Sequence, residues 1–188
     1  ATVDLTTTNT GSFIRRGSIF TARQDDVSYT FVNTDDHDVT EGTATGIVIK
    51  EGTFKSKSFV VPNNKNNQSF VIDDKDIDTT TIKVTVQRSV ADSTGISEVW
   101  NNASTIVDVD QNTNAYFIEE TFDGFPLVLF GDDNIGKKLS AGNLVTVSYL
   151  VTKGPVANGI GSNDTESNRT FSFDSATTVT VTSQASSG

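Results

Sequence analysis

Short runs in which apolar and polar residues alternate recur along the whole chain, and they constrain its fold more than any other feature. A period of two is the pattern of a strand with one buried face, whereas an amphipathic helix needs a period of 3.6. Residues 80–89 alternate most cleanly, with Ile82, Val84 and Val86 on one face and polar residues between them. No segment of the 188 residues carries a clear helical period.

Turn-forming residues separate further predicted strands, which include residues 27–33, 45–52, 54–61, 115–121, 127–132 and 143–152. Glu51-Gly52-Thr53 and Asp123-Gly124 each predict a hairpin. Residues 89–104 interrupt the alternation and could hold one helical turn. Abundant Thr, Val, Ile and Phe with little Leu favour strands. We therefore expect a mainly β protein, built as an antiparallel β-sandwich-like domain or domains with long loops and little helix.

The strands divide into an N-terminal β region, residues 1–110, and a C-terminal β region, residues 111–188, and the two can also pack as one domain. The chain begins with Ala1 and contains no methionine. We therefore expect it to be an excerpt of a longer polypeptide.

Charge and composition narrow the function classes. The formal net charge of −10 opposes phosphate, so we expect no nucleic-acid partner. Cysteine is absent and His37 is the one histidine, which excludes disulfides, thiolate metal sites and sites with two imidazoles. No apolar run approaches the ~20 residues that span a bilayer, so we expect no membrane partner either.

Residues 131–138, with the sequence GDDNIGKK, come close to the phosphate-binding pattern G-x-x-x-x-G-K-[ST]. The last position is Lys138, which has no hydroxyl for Mg²⁺, and Asp132 and Asp133 would repel phosphate. A phosphate loop must also open a helix, yet a Gly-interrupted, β-branched stretch follows. A shaped turn between two strands is the better interpretation.

Other candidate sites are weak. Asp74, Asp76 and Asp78 alternate as calcium ligands can, but the glycine and glutamate of an EF-hand loop are missing, as they also are after Asp110. His37 has only neighbouring carboxylates, whereas catalytic triads combine separate segments. Glu119 and Glu120 point to opposite faces of a strand. We therefore expect no catalytic, cofactor-binding or metal-binding residues and no enzymatic activity.

Residues 115–159 resemble the core signature of phage baseplate wedge proteins in the baseplate J-like family of contractile tails. The family pattern is a strand, a turn with Gly, Asp and Gly-Lys, a Gly-Asn pair, a strand with V-x-Y, and an Ala-Asn-Gly ending. The structural motif residues that match are Phe130, Gly131, Asp132, Gly136, Lys137, Leu139, Gly142, Asn143, Tyr149, Thr152, Gly154, Ala157, Asn158 and Gly159. Asp133 stands where the family more often has glycine, and aspartate tolerates left-handed dihedrals better than most residues. Within the family the chain looks closest to the large wedge subunits of T-even-like phages.

This resemblance implies a virion structural protein of the tail baseplate, assembled in the host cytoplasm. Its partners would be other baseplate wedge proteins and further copies of itself in the full-length protein. The alternative is a secreted Ig-like adhesion or carbohydrate-binding module, which would bind a sugar at exposed aromatic residues such as Trp100.

The motif also makes local predictions. We expect residues 127–131 and 143–151 to be core strands, with either Leu129, Val145, Val147 and Tyr149 or the opposite face of the second strand buried. We expect Gly136 to adopt an unusual dihedral in the turn between them.

Overall fold

The computed structural model describes residues 2–7, 13–24, 27–63, 68–103, 109–157, 171–173 and 177–183. Strands dominate these ranges, and the only helix in them is one turn of 3-10 helix (Gly154–Ala157). The strands are β1 (Thr2–Thr7), β2 (Phe13–Ile14), β3 (Ile19–Gln24), β4 (Val27–Asn33), β5 (His37–Asp38), β6 (Thr43–Glu51), β7 (Thr53–Val60), β8 (Ser69–Val71), β9 (Ile77–Gln87), β10 (Ser97–Asn102), β11 (Ala115–Glu120), β12 (Pro126–Phe130), β13 (Leu144–Val151) and β14 (Thr177–Ser183). The predicted mainly β fold class is confirmed. Within the part of the chain that the structure describes, no helix is long and apolar enough to cross a membrane.

The chain forms two compact units, and the first combines Ala1–Phe54 with Thr152–Gly188. Its five-stranded sheet has the order β14-β1-β6-β4-β3, with antiparallel pairing, and β2 pairs with β5 beside it. Alternating apolar residues of these strands fill its core, because every second side chain of a strand points to the same face. The most deeply buried members are Val3, Phe20, Phe31, Ile47 and Ile49.

The second unit, Lys55–Val151, contains a seven-stranded sheet with the order β7-β13-β9-β10-β11-β12-β8. The long strands β9 and β13 pair in antiparallel register, with Val86 opposite Val145 and Val84 opposite Val147. Among the described pairs, β10 and β11 form the one parallel pair. The core contains all four of these valines together with Tyr149, Trp100 and Phe130.

The two edge strands of this sheet, β7 and β8, meet through their side chains. Phe59 of β7 stacks on Phe70 of β8, with ring centroids 4.9 Å apart. Lys55 Nζ lies 2.9 Å from Asp74, and Lys57 pairs with Asp73. Exposed ion pairs contribute little, so the stacked rings carry most of the contact. The sheet thus curls towards a barrel, which shields edges that could otherwise pair with another chain.

Several local predictions are wrong. The segment around Gly52 is not a hairpin, because β6 pairs with β1 and β4 on its two edges and leaves none for β7. Residues 97–102 form strand β10 where a helical turn was considered. The hairpin at Asp123-Gly124 is confirmed, since β11 and β12 pair directly across it.

The division of the chain also differs from a boundary at residue 110. Strands on both sides of that residue pair with each other, β10 with β11 and β9 with β13. The contacts instead separate the chain after Phe54 and again before Thr152.

Candidate functional site

The motif turn links β12 to β13 and spans residues 131–143. Gly131 is buried, and a Cβ atom built on it would lie 2.1 Å from the carbonyl oxygen of Gly136. No side chain fits such an approach, so glycine is required here by the close backbone contact. Gly136 itself has a φ of 79°, which confirms the unusual dihedral predicted for it.

Two aspartates shape the turn from within. Asp132 Oδ1 accepts the N–H groups of Asn134 at 3.0 Å and Ile135 at 3.1 Å. The bond from Ile135, followed by that from Asn134, lowers the pKa of Asp132. Asp133 has a φ of 69°, as expected for an aspartate in a position that favours glycine, and its Oδ1 accepts the N–H of Lys138 at 2.9 Å.

A second turn, at residues 110–113, supports the first. The carbonyl of Asp110 accepts the N–H of Gly136 at 3.1 Å, and the carbonyl of Thr113 accepts that of Lys137 at 2.9 Å. Asp110 Oδ1 in turn accepts the Thr113 hydroxyl at 2.8 Å, and this bond is the main cause that lowers the pKa of Asp110. The acidic residue considered as a calcium ligand therefore holds a turn together.

The backbone amides of residues 133–140 in the motif turn are all hydrogen-bonded within the chain. Each N–H from residue 133 to residue 140 donates to a carbonyl, a carboxylate or a side-chain amide of the chain itself. A phosphate loop works by presenting such N–H groups to the ligand. The turn is followed by the strand β13 and not by a helix. Its geometry is that of a closed structural turn.

Gln68 holds the motif turn by hydrogen bonds to Leu139, a role that the sequence did not predict. This buried side chain donates from Nε2 to the carbonyl of Leu139 at 2.7 Å and accepts the Leu139 N–H on Oε1 at 2.6 Å. Its own carbonyl accepts the N–H of Phe130 at 2.9 Å. Gln68 thus ties the end of β12 to Leu139 within the motif turn, although it lies 71 residues from Leu139.

Asn143 fixes the start of β13. Its Oδ1 accepts the N–H of Ser140 at 2.7 Å, and its Nδ2 donates to the carbonyl of Arg88 at 2.9 Å. Gly142 has a φ of 82° and donates its N–H to the carbonyl of Val61 at 2.8 Å. The Gly-Asn pair of the motif therefore joins the turn to the segments that flank it in space.

Tyr149 lies in the core of the second unit, and its hydroxyl donates to Asp74 Oδ2 at 2.5 Å. This bond, together with the one from Lys55, lowers the pKa of Asp74. Burial, and then the same bond to Asp74, raises the pKa of Tyr149. Asp74 is thus occupied by a tyrosine and a lysine.

The predicted burial on the two motif strands is partly confirmed. Val145, Val147 and Tyr149 are fully buried, but Leu129 is only half-buried. Val128 and Phe130 are buried in its place, because the register of β12 turns the even-numbered residues inward. Gly154 has a φ of 70° and begins the 3-10 helix, while Asn158 and Gly159 lie outside the described residues.

A pocket of about 670 Å³ lies beside the motif turn. Lys137 lines it, and its Nζ donates to Glu98 at 3.0 Å and stands 5.9 Å from the ring centroid of Trp100. Trp100 is 3% exposed and packs edge-on against Phe130, with ring centroids 5.3 Å apart. The carbohydrate-binding alternative predicted that Trp100 is exposed to bind a sugar, and this prediction is wrong.

The remaining candidate residues stay apart. His37 pairs in β5 with Ile14 of β2, and Asp78 accepts hydrogen bonds from the amide and hydroxyl of Thr80. Within the described ranges no three histidine, aspartate or glutamate side chains gather as a metal site.

Comparison with known proteins gives one family. The family model described as bacteriophage baseplate wedge protein gp6, third domain, matches residues 59–159, just over half of the chain. A comparison with curated proteins finds no match. The family match covers the whole motif from Phe130 to Gly159. It confirms the resemblance to baseplate wedge proteins that residues 115–159 indicated.

Proposed function

The chain belongs to the family of the bacteriophage baseplate wedge protein gp6, third domain, and on that basis we propose that it acts in wedge assembly through protein–protein interfaces. The family places the protein in the tail baseplate of a virion as a structural component, in contact with other baseplate proteins. The finer role is that of a rigid β scaffold which presents surfaces to neighbouring wedge proteins. The match over residues 59–159 is the observation that carries this proposal.

The motif supports a scaffolding role by its internal bonding. The backbone amides of residues 133–140, the side chains of Asp132 and Asp133, and the amide group of Asn143 all form hydrogen bonds within the chain. Residues bonded in this way shape the fold, and this internal bonding supports a structural role for the motif. We therefore propose that the motif acts by holding β12 and β13 in place and that the protein has no enzymatic activity.

In the full-length protein we propose self-association within each wedge, contacts with other wedge proteins, and assembly in the host cytoplasm. The test is to co-express the full-length protein with the other tail proteins of its phage. A stable complex of defined mass should appear by size exclusion with light scattering.

A phage that lacks the gene should assemble heads without functional tails. Normal tails from the deletion, or no stable complex with any tail protein, would overturn the wedge-assembly role.

A further inference from the structure

The outer face of β11, β12 and β8 carries apolar residues where a solvated sheet face is normally polar. The even-numbered residues of these strands, such as Tyr116, Val128 and Phe70, belong to the core. The odd-numbered residues therefore face outward. The apolar ones that solvent reaches are Phe117, Leu127, Leu129 and Val71, which we name the outer patch; Ala115, at the start of β11, is buried.

The register makes the outer patch continuous. Phe117 stands directly opposite Leu129, and Leu127 stands opposite Val71. Leu127 and Leu129 are next neighbours on one face of β12. Three of the four residues are half-buried and Val71 is 43% exposed, and none of them belongs to either core cluster.

The hairpin that carries the patch ends in an aromatic tip. Phe122, in the turn between β11 and β12, is 105% exposed, so its whole ring lies in solvent. Full exposure of an aromatic ring is unfavourable, and such rings are typical anchors of protein interfaces. The hairpin is held by Thr121, whose N–H donates to the carbonyl of Phe125 at 2.9 Å. The tip is thus presented on a bonded turn.

The charges around the patch and tip are mainly negative. Glu119 lies on the outer face opposite Leu127, and Glu120 and Asp123 are exposed near the tip. The positive charge near these three carboxylates is Lys75, whose Nζ lies 5.2 Å from the ring centroid of Phe125. The local charge has the same sign as the net charge of −10.

From these observations we propose that the outer patch and Phe122 form a docking surface for another baseplate subunit that presents an apolar area rimmed by Lys or Arg. A second copy of this chain does not fit, because a two-fold contact would set carboxylates against carboxylates. Self-association would use other surfaces. This inference rests on the proposed wedge function and adds the surface and the chemistry of the partner.

The experiment titrates each of the other purified wedge subunits of the same phage into the full-length protein and measures Kd at low and moderate salt. Phe122→Ser removes a ring that touches nothing in the chain, and Glu119→Lys reverses the charge beside the patch. Val90→Ser, at a 65% exposed valine, and Asp38→Lys, at an exposed carboxylate in β5, are the matched controls. Circular dichroism and urea midpoints verify that all four variants fold.

One subunit should bind with an affinity that falls about tenfold or more in Phe122→Ser and in Glu119→Lys but not in the controls. Salt should weaken the wild-type complex more than that of Glu119→Lys. Binding that both variants leave unchanged would overturn this docking surface but keep the wedge function. Self-association lost in Phe122→Ser would overturn the proposed partner, and the absence of any binding subunit would overturn both proposals.

Discussion

Replacing Gln68 tests whether a single buried amide holds the motif turn in place. Gln68→Ala removes two hydrogen bonds to Leu139, with donor–acceptor distances of 2.7 and 2.6 Å. Leu139 is 3% exposed, so its N–H and carbonyl would be left without partners away from water. Each unsatisfied buried group costs about 1–3 kcal/mol, so for the two groups we expect a loss of about 2–6 kcal/mol in the free energy of unfolding.

Urea denaturation of Gln68→Ala followed by tryptophan fluorescence measures this loss, because Trp100 is buried in the same core. Gln111→Ala, at an exposed glutamine, is the matched control and should change the free energy of unfolding by less than about 0.5 kcal/mol. A cost for Gln68→Ala as small as that of the control would refute the role of the amide.

Gln68→Glu sharpens the test through pH. An ionised carboxylate can accept the Leu139 N–H but cannot donate to the Leu139 carbonyl, whereas the protonated acid can do both. Burial and the facing carbonyl raise the pKa of the introduced group above its unfolded value of about 4.3. The stability of this variant should therefore be highest below about pH 4 and fall as pH rises through the folded pKa, relative to wild type. A difference that does not vary with pH would contradict the arrangement of donor and acceptor.

Four further outcomes are expected. Gly131→Ala should lower the free energy of unfolding by more than about 2 kcal/mol, because its Cβ would lie 2.1 Å from the Gly136 carbonyl oxygen. The control Gly95→Ala has open space around a φ of 66° and should cost about 1 kcal/mol. Equal losses of the two variants in urea denaturation would contradict the close approach at Gly131. Asp133→Ala should lower the free energy of unfolding by about 1–2 kcal/mol, because it removes the hydrogen bond from the Lys138 N–H. Asp133→Gly should cost less, since glycine adopts a φ of 69° without strain. A larger cost for Asp133→Gly than for Asp133→Ala would contradict the importance of the positive φ. Because the pKa of Asp74 is lowered in the folded protein, Asp74 contributes stability at pH values above its unfolded pKa, and this stability is lost as pH falls through the folded pKa. Tyr149→Phe removes the hydrogen bond to Asp74, so an NMR titration should show a higher pKa for Asp74 in this variant. The free energy of unfolding of the variant should also fall less steeply as pH is lowered. Calorimetry with millimolar ATP and Mg²⁺ should show no binding, and saturable heat that Lys137→Ala abolishes would restore the phosphate-loop interpretation.

The motif turn was largely readable from the sequence because its requirements are local. A positive φ at Gly136 and at Asp133 follows from the residue types that tolerate the left-handed region. Lys138 stands where a phosphate loop has serine or threonine, and Asp132 and Asp133 lie inside the loop. These residues alone were sufficient to disfavour a phosphate loop. What could not be read was the reason for Gly131, which is the close approach of a backbone carbonyl five residues away.

The partners that hold the turn come from distant parts of the chain. Gln68 carries no pattern that marks it, since a glutamine after an Asn-rich stretch looks like any solvated loop residue. Its role exists only because β8 lies beside β12 in the sheet. Trp100 likewise stood in a stretch without alternation, and only the packing of β10 between β9 and β11 buries it.

The sequence by itself determined the class of secondary structure, the main strands and the shape of the motif turn, because alternation and dihedral preference act within a few residues. The tertiary structure alone decided which strands are neighbours. β6 and β7 follow each other around Gly52 as a hairpin would, yet β6 is paired on both edges within the first unit and β7 lies beside β13 in the second. Strand pairing is a competition among all edges of the chain, and the winner depends on the burial that the whole sheet achieves, which no local pattern records.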